Sequence, residues 1–306
     1  IRGEMPVVNN IIRVGLKVII GILVFIILLA IIELIYLFKG EVKSTAPKEI
    51  KKTYQLQEKA YKGRNVFVLS SKNGERSDLV IMYIHGGSYV GELTDQHWNF
   101  MRKLVDDTGA IVIAPDYPLT PKYNYEDVKS MMEPLYQEVI QKVDPEHLVV
   151  MGDSAGGGLA LGLMETLGEK SIAQPSQLIL LSPWLDVTME NEEINEVEKV
   201  DPVLNKMALK IAGENYSGKE GKENYFVNPV YGPLDKLRNV TIFTGTYDIL
   251  NPDAKKIEKR AKEENADIQL IEKEKAYHVW MLDIDDENNM EAKQTYQQII
   301  ELLKKD

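Results

Sequence analysis

The stretch "LVVMGDSAGGGLALGL" sets Gly152-Asp153-Ser154-Ala155-Gly156 between two apolar runs. A Gly-x-Ser-x-Gly turn between a strand and a helix is a nucleophile elbow. Small flanking residues let neighbouring chain come close, and the strained turn projects the hydroxyl from the sheet edge. The N-terminus of the following helix is then aimed at developing negative charge. The five-residue motif alone arises often by chance, and a structural glycine turn is the competing reading. A strand before it, a helix after it, and Gly157 and Gly158 directly following favour Ser154 as a nucleophile.

A serine hydroxyl needs a base to take its proton. The chain has four histidines, His85, His97, His147 and His278. With an elbow of this kind the chain order is serine, acid, histidine, which leaves only His278. His97 falls in a helical pattern and His147 opens the nucleophile strand, so both are expected to be structural or solvent-exposed. The acid should follow a late strand, and Asp248 does so in "TIFTGTYDIL". It would hold the imidazole tautomer and stabilise the imidazolium. Asp253 is the rival, but it lies one helical turn later, where capping is the simpler role. Asp283, Asp285 and Asp286 come after the histidine and break the order.

Acyl transfer also needs donors for an oxyanion. "MYIHGGSYVG" ends a strand at Ile84 and then offers Gly86 and Gly87, whose backbone N–H groups have no side chain in the way. With the N–H of Ala155 they make the expected oxyanion hole: Gly86, Gly87 and Ala155.

These residues must be positioned by a scaffold, and the chain alternates short apolar runs with helical patterns. Val66–Leu69, Leu79–Ile84, Ala110–Ala114, Leu148–Met151, Leu178–Leu181, Val240–Thr244 and Ile268–Ile271 read as strands covered on both faces. Helices are expected near Gln96–Asp107, Tyr125–Lys142, Ala155–Leu167, Pro252–Glu264 and Met290–Leu303. Such alternation implies an α/β fold with a mostly parallel sheet. One stretch breaks the rhythm. Asp186–Asp201 carries seven carboxylates against one lysine. The chain between the strands near Ser182 and Val240 is far longer than a crossover needs, as for a lid or cap, with a solvated loop as the alternative.

The 306 residues carry a formal charge of −11 without a long basic block, which argues against a nucleic-acid partner. The absence of cysteine excludes disulfides, thiolate metal sites and a cysteine nucleophile, and leaves the compartment open. Val18–Phe38 is apolar except for Glu33, long enough for a membrane-spanning helix, and too long for the core of a cleaved signal. It is expected to be a retained anchor. Arg2, Arg13 and Lys17 favour an inside N-terminus, which puts the rest of the chain outside the cytoplasm, although Lys39 and Lys43 weaken that bias. The expected organisation is an anchor segment over 1–40 and a catalytic domain over 41–306.

From roughly Tyr54 onward the chain resembles the hormone-sensitive-lipase-like branch of the α/β-hydrolases. The matching pieces are His85-Gly86-Gly87, Asp116-Tyr117-Pro118-Leu119-Thr120-Pro121, Gly152-Asp153-Ser154-Ala155-Gly156-Gly157, Ser182-Pro183-Trp184, Asp248-Ile249-Leu250 and Tyr277-His278. The resemblance puts the family's triad on Ser154, Asp248 and His278, and its oxyanion donors on Gly86, Gly87 and Ala155. It implies cap elements at 48–62 and 186–221, short-chain acyl esters (acetyl among them) as substrates, and no metal or organic cofactor. Two departures bear on pocket shape. Ser88 stands where the oxyanion motif commonly has a third glycine, and Tyr117-Pro118-Leu119-Thr120-Pro121 replaces Tyr-Arg-Leu-Ala-Pro. The expected function is a membrane-anchored serine carboxylesterase acting on a small-molecule ester. Amide or formamide hydrolysis and a catalytically silent binding protein are the alternatives.

Overall fold

The computed structural model describes residues 43–72, 78–219 and 221–304. Among them, eight strands form one sheet: β1 (Gln55–Tyr61), β2 (Arg64–Ser70), β3 (Val80–Ile84), β4 (Ile111–Pro115), β5 (Leu148–Asp153), β6 (Gln177–Leu181), β7 (Val240–Gly245) and β8 (Ile268–Lys273). Their order is β1-β2-β4-β3-β5-β6-β7-β8. β1 pairs antiparallel with β2, and β2 with β4, while the six strands β4-β3-β5-β6-β7-β8 run parallel to one another.

Two-sided burial explains the apolar runs. Every residue of β3, β5, β6 and β7 is buried. Side chains alternate between faces of a strand, so each strand feeds two cores. Met82, Val150, Leu180 and Ile242 pack on one side with residues of the helices Tyr125–Ile140, Ser154–Glu169 and Asn251–Glu264. Tyr83, Met151, Leu181 and Phe243 pack on the other with residues of the helices Asp95–Thr108 and Met290–Leu303. Each of the seven expected strands and five expected helices is present, with ends displaced by at most a few residues.

The segment Lys48–Lys62 departs from the expected cap element. It forms a short helix, Lys48–Thr53, and then the edge strand β1, in register with β2 from Gln55↔Ser70 to Tyr61↔Arg64. Lys62 and Gly63 both have positive φ, 46° and 82°, the geometry of a two-residue hairpin turn. β1 escapes a search for apolar strands because most of its residues are exposed. The stretch 186–221 is an excursion with the helices Ile194–Val197 and Lys206–Ser217; Ile194, Leu209, Ala212 and Tyr216 anchor it in the first of the two cores.

Val18–Phe38 lies outside the described residues. Among those described, no helix is long and apolar enough to cross a membrane.

Candidate active site

β5 ends at Asp153, and the helix Ser154–Glu169 starts immediately. Ser154 has φ 51°, a left-handed conformation that costs energy for a residue with a Cβ and marks the sharp turn. The flanking glycines are needed sterically. A Cβ on Gly152 would lie 2.5 Å from Gly156 O, and one on Gly156 would overlap the carbonyls of Ile84 and His85. The turn is also tied forward, by Trp184 N–H donating to Ser154 O at 2.8 Å.

The structure brings Ser154, His278 and Asp248 together. Ser154 Oγ is 2.9 Å from His278 Nε2, and His278 Nδ1 is 2.9 Å from Asp248 Oδ2. A carboxylate only accepts, so Nδ1 carries the proton and Nε2 is left to receive one from the serine. Asp248 Oδ1 accepts from Leu250 N–H at 2.9 Å, which fixes the carboxylate's orientation. The histidine loop is strapped to the turn after β7: Tyr247 N–H donates to Ala276 O at 3.0 Å and Lys275 N–H to Thr246 Oγ1 at 2.7 Å. Val279 N–H donates to Ser182 Oγ at 3.1 Å, tying the other side of His278 to the end of β6. Burial alone would lower the His278 pKa, but the charge and hydrogen bond of Asp248, with Asp153 and Asp201 beyond it, hold it above the ordinary imidazole value.

The rejected candidates have other partners. Asp253 is buried in the first turn of Asn251–Glu264, accepts from Asn191 Nδ2 at 2.9 Å, and is pushed up to about 6 by that burial. Asp283 takes the Tyr277 hydroxyl and Asp285 pairs with Arg102. His147 is exposed. His85 is buried, stacks on Tyr117 with centroids 4.4 Å apart, and donates Nδ1–H to Gly86 O at 2.7 Å. Burial lowers its pKa to about 3, so it stays neutral.

One expected donor is otherwise engaged. Gly86 N–H donates to Asp153 Oδ1 at 3.0 Å and is removed from the oxyanion set for that reason. The N–H groups of Gly87 and Ala155 make no hydrogen bond among the described residues, nor does that of Ser88, the next along the turn. Gly87 sits at φ 111°, where a side chain would be strained, and its carbonyl accepts from Val90 and Gly91. Tyr117 Oη donates to His85 O at 2.7 Å and Thr120 N–H to Tyr89 O at 2.8 Å, so the loop is held from the motif at 116–121.

Asp153, the residue before the serine in the Gly-x-Ser-x-Gly turn, is a buried polar group of the site that the motif does not single out. Besides Gly86 it accepts from Tyr83 Oη at 2.7 Å and stands 3.3 Å from His97 Nε2. Thr94 N–H donates to His97 Nδ1 at 3.0 Å, which leaves the proton on Nε2 facing the carboxylate. Burial by itself would raise the Asp153 pKa, but His97 and Tyr83 bring it below the ordinary carboxylate value.

A family model for the α/β-hydrolase fold matches residues 81–282. The chain belongs to this α/β-hydrolase family, within it to the hormone-sensitive-lipase-like group that the motifs resemble. Over 193 residues it is 32% identical to an esterase of Acinetobacter venetianus, covering 62% of this chain and 63% of that protein. It is 25% identical to an acetyl-hydrolase of Streptomyces hygroscopicus, covering 65% and 67%. The chain thus spans about two thirds or less of these curated relatives' length. Among solved structures, an esterase from the bacterial hormone-sensitive lipase family superposes with a TM-score of 0.75 at 25% identity, covering 82% of this chain and 84% of that one.

Proposed function

We propose that the protein is a serine carboxylesterase for short- or medium-chain acyl esters, acetyl esters among them. The observation that carries this reading is the continuous relay from Ser154 Oγ through His278 to Asp248, with both contacts at 2.9 Å. The esterase and acetyl-hydrolase names of its relatives support the ester as substrate class.

In the proposed cycle His278 Nε2 takes the hydroxyl proton as Ser154 Oγ bonds to the ester carbonyl carbon. The resulting oxyanion is received by the N–H groups of Gly87 and Ala155, with Ser88 next in line. His278 returns the proton to the alkoxide oxygen, and the alcohol leaves. Water then gives a proton to His278, attacks the acyl-enzyme, and releases the acid as Ser154 regains its hydrogen. Asp248 keeps the imidazole in the required tautomer throughout.

The apolar run Val18–Phe38 supports a single-pass membrane anchor with the catalytic part outside the cytoplasm. Membrane fractionation of the full chain beside a form lacking residues 1–40 tests the anchor; equal partitioning of both would refute it. Short p-nitrophenyl esters, each paired with its amide, test the chemistry beside Ser154→Ala. Equal turnover by both proteins would overturn it.

A further inference from the structure

Most carboxylates of the acidic excursion face solvent. Glu196, for instance, pairs with Lys199 while both side chains are more than half exposed. Asp201 behaves differently. Its Oδ1 accepts from Val203 N–H at 2.7 Å and Leu204 N–H at 2.9 Å, and its Oδ2 accepts from Ile249 N–H at 2.8 Å. Two donors from its own turn fix the carboxylate, and the third lies 48 positions away, directly after Asp248. Consecutive N–H groups, those of Ile249 and Leu250, are thus taken by Asp201 and by Asp248 itself.

A carboxylate that serves only solubility needs no such cross-chain contact. We infer that Asp201 is a positioning residue for the proposed reaction, which locks the turn bearing Asp248 and ties that turn to the excursion. The inference rests on Ser154, His278 and Asp248 acting as a triad. A lost Asp201 leaves Ile249 N–H without its acceptor and lets the Asp248 turn shift. Displacements of about 1 Å in such a relay cost up to roughly 100-fold in rate. A second consequence is electrostatic. Three carboxylates act on the imidazole: Asp248 from the turn after β7, Asp153 from the end of β5 and Asp201 from the excursion, each favouring its protonated form. Removing the charge of Asp201 therefore moves the titration of His278 to lower pH.

The test uses the full chain as Asp201→Asn and Asp201→Ala, assayed on a neutral p-nitrophenyl ester, with thermal unfolding followed in parallel. The expected result is a kcat loss of roughly 10-fold for Asn and up to 100-fold for Ala, with KM within about threefold. The acid limb of the pH profile should move down in both. Asp201→Asn keeps the size of the side chain and decides the matter if Asp201→Ala does not fold. An NMR titration of His278 in Ser154→Ala, with and without Asp201→Asn, reads the same placement without turnover and should also move down. A rise in KM alone, or an unmoved titration with unchanged kcat, would overturn the inference. An inert wild type whose His278 titration still responds to Asp201→Asn would uphold the placement and count only against the esterase reading.

Discussion

His278 Nε2 lies 2.9 Å from Ser154 Oγ, although 124 positions separate the two residues. One is carried by the elbow after β5 and the other by a loop beyond β8, and parallel strands bring both to the carboxyl ends of the sheet. In the proposed reaction this contact gives a weak hydroxyl its base, and consequences for rate, pH and stability follow from it.

The pH dependence has a defined sign. His278 works as a base only when neutral, and its pKa stands above the ordinary 6.5. kcat/KM is therefore expected to rise with pH through a single midpoint above 6.5. His85 stays uncharged down to about 3 and adds no limb near neutrality. A rate profile on a substrate without ionisable groups checks this; a midpoint at or below 6.5 would contradict it.

Asp153→Asn should lower kcat by on the order of 10- to 100-fold, with little change in KM. The amide keeps the shape, but its NH₂ brings a donor to a position surrounded by the donors Tyr83 Oη, Gly86 N–H and His97 Nε2–H. The oxyanion loop then loses the anchor that holds Gly86 against the elbow. Steady-state kinetics with thermal unfolding as a control separates this from global destabilisation.

Gly156→Ala tests the steric logic of the elbow. The added methyl would meet the carbonyls of Ile84 and His85, which are backbone at the end of β3 and cannot rotate away. Overpacking of this kind costs about 1–3 kcal/mol or more. A lower thermal midpoint and loss of ester turnover are expected. Unchanged stability would show that the close approach is not required.

Much of this site was legible because chemistry and chain order constrain each other. Four histidines and one elbow left His278 as the candidate in the right chain order, and Asp248, directly after a late strand, is the carboxylate that reaches it at 2.9 Å. The Ser154 turn was readable for the same reason: small residues between two apolar runs have few other uses. The limits were set by hydrogen bonds that cross the chain. Gly86 looked like a free donor because nothing local shows that Asp153, 67 positions on, takes its N–H. Asp153 itself looked like a spacer, since Tyr83 and His97 reach it only in three dimensions. β1 was hidden by its exposure, because an edge strand with few buried residues has no apolar pattern to display.

Substrate charge offers a further check. Asp201 and Asp153 add negative potential to a site that already holds Asp248, and the excursion carries more carboxylates. A p-nitrophenyl hemiester with a free carboxylate should turn over roughly 10-fold more slowly than a neutral ester of equal length, and the gap should narrow with added salt. Comparison of kcat/KM at low and high ionic strength reads this directly; faster turnover of the anionic ester would count against it.

Covalent capture of the nucleophile is the most direct measurement. A fluorophosphonate probe, followed by peptide mass mapping, should label the wild type at Ser154 alone and leave Ser154→Ala unmodified, with labelling slowed when His278 is replaced by alanine. Modification at another residue, or equal labelling of wild type and Ser154→Ala, would contradict the relay as the source of activity.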